Sequence, residues 1–399
     1  MKYSTLALAV FFSLPLLKPA IALANSDKST TCDFNIPSSH YLVDGTEMNV
    51  QPGDTICLAA GERGPLRVKN VVGTQSQPIT ITNADGVVVS KPYEYSIAIE
   101  QSKWVRITST PVGSANPYGI RLGGTLSIGQ LSEQVEVDNI EIYRARFAGM
   151  LIKTDPNCSP ATWAENFTMT GINIHHNYIH HTEEGEGMYV GYTGLSRTLE
   201  CDGVATTVYP HKLKNVRIHN NKLEYIAADG IQLNAVQGDA QITNNTIYRT
   251  GVSPFAPVWQ NTGIQVGGDN VQVSGNLIYR SGGNGMMLDG DNLEITNNNI
   301  IYAGENGIFA RNAAQQNNQN SGGLPHIYKD NLFVQPKSYG IKLYATNTSA
   351  PNEISNNTIE NDGQFDAANR PMTFSFLNDQ VDRELHNNHH YIVDEGEQD

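Results

Sequence analysis

Charge is scarce in this chain, and basic charge scarcer still. Asp, Glu, Lys and Arg make up 17% of the 399 residues, with 26 Lys and Arg against 40 Asp and Glu, for a formal net charge of −14. Nucleic-acid binding needs a basic footprint and is excluded as the main function. General attraction to a polyanionic glycan is disfavoured for the same reason. Long apolar runs are equally scarce. One runs from Leu6 to Leu17, behind Lys2 and ahead of the small-residue stretch Ala20-Ile21-Ala22-Leu23-Ala24. That order is the pattern of an export signal cut after Ala24, not of a membrane span. No later stretch reaches the roughly 20 apolar residues that a transmembrane helix needs. Residues 1–24 are therefore expected to be a signal peptide, and the mature chain is expected to be secreted or periplasmic. Cysteines number four, Cys32, Cys57, Cys158 and Cys201. They allow three pairings, and in an oxidising compartment the sequential one is expected, Cys32 with Cys57 and Cys158 with Cys201. No zinc spacing, Ser-His-Asp set or phosphate loop is present.

What the chain has instead is a repeat. One pattern returns as INIHHNYI (172–179), VRIHNNKL (216–223), AQITNNTI (240–247), VQVSGNLI (271–278), LEITNNNI (293–300), HIYKDNLF (326–333) and EISNNTIE (353–360). Each copy alternates apolar and polar residues, reaches an Asn at a polar turn, and resumes. A strand led by glycine follows each: GMLIK (149–153), GMYVG (187–191), GIQLN (230–234), GIQVG (263–267), GMMLD (285–289), GIFAR (307–311) and GIKLY (340–344), with GIRLG (119–123) read as an earlier member. Alternation gives every strand one face to a core and one to solvent. The shortest repeats are about 22 residues apart, within the solenoid range. Stacking successive coils pairs each strand with its copies above and below and buries a continuous apolar column. Asn177, Asn221, Asn245, Asn276, Asn298, Asn331 and Asn357 share one position. They are expected to form a structural ladder that satisfies the corner backbone. The Gly of the other corner supplies positive φ or room for a tight turn. The fold class is all-β, a single-domain right-handed parallel β-helix over 25–393 with an acidic tail at 394–399.

These repeats resemble the right-handed parallel β-helix proteins of the pectate-lyase-like superfamily. The stretch NVQPGDTICLAAGERGPLRVKN (49–70) and QPITITN (77–83) is similar to the opening coil many of those secreted proteins share. The resemblance covers nearly all of the mature chain and implies carbohydrate as ligand. It does not choose an activity, because the superfamily includes polysaccharide lyases, glycoside hydrolases, epimerases, esterases and non-enzymatic adhesins.

Insertions at 154–168, 192–213, 251–261 and 312–325 swell the coils beside the Gly-led strands, and loops on a rigid scaffold carry function. The first two leave adjacent coils at one corner and carry Cys158 and Cys201, so a bridge would staple them. Trp163, Tyr192, Tyr209, Phe255 and Trp259 lie on these loops, where rings stack on sugar faces or simply cover the helix side. The outward residues of the Gly-led strands suit a glycan groove: Tyr189, Gln232, Asn234, Gln265, Asp289, Arg311, Lys342 and Lys153, with Arg121 from GIRLG.

The acidic stretch His180-His181-Thr182-Glu183-Glu184-Gly185-Glu186 supplies the chemistry. Glu186 and Asp229 precede the Gly on consecutive coils, about 4.8 Å apart along the stack. Paired carboxylates at that place serve glycoside hydrolysis, one donating a proton and one attacking or activating water. Glu184 is an alternative second carboxylate and His181 a nearby base. The arrangement is similar to that of polygalacturonase-type hydrolases, although Gly-His-Gly and Arg-Ile-Lys motifs are absent and their substrate does not carry over. The pair requires carboxyl oxygens within about 10 Å of each other and open to solvent. The rival is β-elimination on a uronate-containing glycan, for which Lys153, Arg311, Lys342, His180, His181 and Tyr189 are the available types. The third is a non-catalytic glycan binder or adhesin. No cofactor is expected, and calcium at Asp289-Gly290-Asp291 is the one metal candidate.

Overall fold

The computed structural model describes residues 31–92, 95–311, 324–344, 350–361, 373–376 and 383–392. The expected signal peptide, the tail 394–399 and nearly all of the insertion 312–325 lie outside these residues. Cys32–Asp399 forms one compact unit. Among the described residues, no helix is long and apolar enough to cross a membrane.

Among the described residues, three long parallel sheets of 13, 12 and 12 strands extend from Phe34 to Ile392. Each complete coil contributes one strand to each sheet: a strand before the Asn corner, a strand after it, and a third strand that is led by Gly from Met150–Ile152 to Ile341–Tyr344. We call these the pre-Asn, post-Asn and Gly sheets. Thr168–His175, Tyr178–His180 and Met188–Val190 make one coil, and Lys212–His219, Lys222–Glu224 and Ile231–Asn234 make the next. The result is the right-handed parallel β-helix, and the alternating pattern explains its interior. Ile172, Val216 and Ala240 face inward from the pre-Asn sheet, Ile179, Leu223 and Ile247 from the post-Asn sheet, and Met188, Ile231 and Ile264 from the Gly sheet, all buried.

The Asn ladder forms as the repeat implies. The Oδ1 of each ladder Asn from Asn221 onward accepts both the backbone N–H and the Nδ2–H of the ladder Asn one coil earlier, at 2.9–3.1 Å. Each Nδ2 also donates to a strand carbonyl of the coil below, as Asn177 does to Val137. Asn388 extends the series by one coil. Positive φ sits just before the ladder, at His176, Asn220, Asn244 and Asn297, and not at the leading glycines Gly187, Gly230, Gly263 and Gly285. There, glycine provides room. A Cβ on Gly187, Gly230, Gly263 or Gly285 would lie 2.5–2.6 Å from the carbonyl oxygen of the Gly one coil on.

One reading is corrected. GIRLG is not a Gly-led strand: Ile120–Leu122 pairs with Glu141–Tyr143 in the post-Asn sheet, and Arg121 there grips Glu141. The Gly-sheet strand of that coil is Thr125–Gly129. A glycine followed by alternation fits either sheet, and only register separates them. Both disulfides are the sequential ones, Cys32–Cys57 and Cys158–Cys201.

Candidate functional site

The Gly sheet turns two columns of side chains outward, away from the coil core, and Gln232, Asn234, Gln265, Met287, Asp289 and Arg311 among them are buried. In the first, Leu151, Tyr189, Gln232, Gln265, Met287, Phe309 and Lys342 stack in register. The second holds Asn234, Gly267, Asp289 and Arg311. Gly267 interrupts it. With no side chain there, the Asn234 amide reaches into the vacated space, and a hollow of about 380 Å3 opens beside it. Its floor includes Gln232, Asn234, Gln265, Met287, Asp289 and Arg311, five of which are groove residues expected from the repeat. Thr193, from the insertion 192–213, forms one wall; Phe255, Ala256, Trp259 and Gln260, from 251–261, form the other.

Two clamps hold this floor to its walls. Thr193 Oγ1 accepts from Gln232 Nε2, Asn234 Nδ2 and the Tyr189 hydroxyl, each at 2.9 Å. Arg311 makes a two-pronged ion pair with Asp289 one coil below, Nη2 to Oδ2 at 2.6 Å, while its guanidinium lies 4.9 Å from the Trp259 ring centre. Insertion 192–213 is in turn joined to insertion 154–168 by Cys158–Cys201 and by a backbone bridge between Trp163 and Pro210. Lys153 and Lys342 lie outside the lining of the hollow. Lys153 sits over the Tyr189 and Tyr192 rings and pairs with Asp155. Lys342 lies over Phe309.

Glu186 and Asp229 occupy consecutive coils at the corner behind the Gln260 wall. Glu186 Oε1 accepts from Gln260 Nε2 at 3.2 Å, and Asp229 Oδ1 accepts the Thr262 N–H at 2.7 Å. Neither is open to solvent, at 1% and 0% exposed, so the access that hydrolysis requires is not met in this conformation. Burial pushes the Glu186 carboxyl up to about 7 and raises Asp229 well above the usual carboxylate range, with Glu186 adding repulsion. Both outer oxygens, Glu186 Oε2 and Asp229 Oδ2, lack a hydrogen-bond partner, as do the neighbouring Gln232 Oε1, Gln260 Oε1 and Thr262 Oγ1.

Glu184 and His181 are not brought to this place. Glu184 is exposed and pairs with Arg146 of the preceding coil. His181, with φ 54°, is exposed and stacks on Tyr225 at the post-Asn edge, and His180 pairs with Glu141 there. Asp289 is engaged by Arg311, and Asp291 accepts the Leu324 N–H, so an ion at Asp289-Gly290-Asp291 would compete with both. The one described group with metal-ligating types close together is Glu136, Asp138 and His175 on the pre-Asn sheet. Arg106 already lies against both of its carboxylates, at 3.1 and 2.7 Å, and offsets part of their charge. Thr193 and Gln260 are missed by sequence reasoning. Both sit in insertions, where no repeat position marks them.

Residues 95–253 and 208–381 match the family described as right handed beta helix region. No curated protein matches by sequence. Among solved structures, the chain is similar to an alginate lyase from Paenibacillus sp. str. FPU-7, with 16% identity and a TM-score of 0.50 over 78% of this chain and 98% of that one. It is also similar to a GH136 lacto-N-biosidase from Eubacterium ramulus, with 13% identity and a TM-score of 0.55 over 86% of this chain. It spans 63% of that enzyme's length. At these identities the likeness is one of fold.

Proposed function

The chain belongs to the right-handed β-helix family, and from that membership we propose that it is a polysaccharide-binding protein whose binding site is the walled hollow on the Gly sheet. The observation that carries this is the hollow's lining. Gln232, Asn234 and Gln265 both donate and accept hydrogen bonds, as sugar hydroxyls do. Phe255 and Trp259 offer rings to the apolar face of a sugar. Arg311 is neutralised by Asp289, which favours an uncharged unit over a uronate. The similar folds are named as saccharide-cleaving enzymes, which supports the ligand class. The two disulfides support a location outside the cytoplasm.

A second reading adds cleavage, with Glu186 as the acid of a glycoside hydrolase. Its support is specific: a carboxyl raised to a pKa of about 7 stays protonated below neutral pH, where an ordinary Glu has already ionised, as protonation of a leaving oxygen requires. It lies one side chain, Gln260, behind the hollow. Asp229 is the deeper partner. Cleavage then requires Gln260 to swing aside.

A panel of soluble polysaccharides, neutral and uronic, tests both readings. Binding to a neutral glycan that weakens at least tenfold in Trp259→Ala and Gln265→Ala is the expected result, about 1.4 kcal/mol or more. Binding that ignores both substitutions removes the site. New reducing ends that vanish in Glu186→Gln carry the hydrolase. Reducing ends accompanied by unsaturated product would replace it with β-elimination and turn attention to Lys153 and Arg311. Binding without products would leave a non-catalytic adhesin.

A further inference from the structure

The outer face of the pre-Asn sheet carries a second hollow, on a different side of every coil from the first. At one position of successive pre-Asn strands a residue adopts a left-handed backbone, and these residues stack in register. Trp104, Gln134, Gly171, Asn215 and Asp239 follow one another with φ between 54° and 69°. Asn, Asp and Gly tolerate that conformation, whereas a bulky side chain there is strained, and such strain concentrates at functional sites. Trp104 and Gln134 are the residues out of keeping with their column, and Trp104 is the bulkier.

Gly171 interrupts this column as Gly267 interrupts the one on the Gly sheet. Its missing side chain leaves space that the Gln134 amide enters. A hollow of about 480 Å3 opens between Trp104 on one flank and Arg217 and His219 on the other, with Gln134, Asn173 and Asn215 among its lining. Two guanidinium groups in and beside it meet three carboxylates, which leaves no net positive charge. Arg106 lies against Glu136 and Asp138, and Arg217 against Asp239 at 2.6 Å. Nothing in that balance selects an anion. An aromatic ring beside three amides, without net positive charge, matches an uncharged sugar: the ring takes the C–H face and the amides take hydroxyls.

We propose that this hollow is a second saccharide site, which takes a neutral sugar unit against Trp104 and is separate from the groove on the Gly sheet. The choice of saccharide as ligand rests on the reading of that groove, and two sites on one chain would let a single polymer be gripped twice.

The test is calorimetric stoichiometry on the full chain, with cello-, xylo-, manno- and chito-oligosaccharides as probes. Four proteins are compared: wild type, Trp104→Asn, Asn173→Trp and Trp259→Ala. Asn is the residue type that the column already holds at Asn215, so Trp104→Asn preserves the backbone. Asn173→Trp fills the hollow from its floor. The expected result is two sites per chain in wild type, one in each of the two pre-Asn variants, and one in Trp259→Ala. A single site lost in Trp259→Ala and unchanged in both pre-Asn variants overturns this proposal and leaves the Gly-sheet groove standing. A single site lost in the pre-Asn variants and unchanged in Trp259→Ala supports it and overturns the Gly-sheet reading. No binding to any probe overturns both.

Discussion

Glu186 should make the protein less stable as pH rises, and Glu186→Gln should remove that loss. Burial lifts its carboxyl from 4.5 to about 7 in the folded chain. Between those values the folded state holds a proton that the unfolded state has released, so stability falls as pH rises through the window. The gap, at about 1.36 kcal/mol per pH unit, amounts to about 3 kcal/mol lost by neutral pH and above. Asp229 is pushed in the same direction and steepens the slope. The glutamine substitution keeps the side-chain length and an oxygen that can accept from Gln260, but cannot ionise. Guanidinium midpoints of the two proteins should therefore coincide up to about pH 4.5, diverge between about pH 4.5 and 7, and stay apart above that, with the variant the more stable by about 3 kcal/mol. Curves that run parallel across this range would mean that the carboxyl ionises as it does in water. The buried acid, and the hydrolase reading built on it, would then fall together.

Other consequences are more local. Asn245→Ala removes the partner of three buried groups, the Asn221 N–H, the Asn221 Nδ2–H and the Ile218 carbonyl. At about 1–3 kcal/mol each the loss should approach 4 kcal/mol by denaturant titration, and a loss below about 1 kcal/mol would argue against a structural ladder. Gly230→Ala places a Cβ 2.5 Å from the Gly263 carbonyl and 2.9 Å from Ile247 Cγ2. The obstacle is mostly backbone, so a cost of about 1–3 kcal/mol or more is expected in melting experiments. Replacing Cys158 and Cys201 together by Ser frees the two insertions while leaving the coil core intact. Circular dichroism should stay that of a β-helix while oligosaccharide affinity drops, because Thr193 is carried by one of those loops. An unchanged affinity would detach the loops from the site.

The repeat made most of the architecture legible. Alternation at Ile172, Ile174 and their copies dictates one buried face, the recurring Asn dictates a stacked corner, and a period too short for helices dictates coils. These are local rules, so they appear in the order of residues. The groove floor was legible for the same reason, since Gln232, Gln265 and Asp289 hold repeat positions whose outward direction follows from strand geometry. GIRLG shows where such rules stop. Its glycine and alternation suit two sheets, and hydrogen-bond register with Glu141–Tyr143 assigned it to one. The candidate chemistry was less legible still. Glu186 and Asp229 were visible as neighbours on consecutive coils, but their closure from solvent depends on Gln260 and Thr262, some 30 to 75 residues further along. The clasp at Thr193 and the stacking of Arg311 on Trp259 likewise join residues that only folding brings together. Order along the chain determined the coil, because each strand's faces are set by its own residues. The walls, the acid's burial and both hollows were decided in three dimensions, because each depends on what a different coil leaves empty or fills.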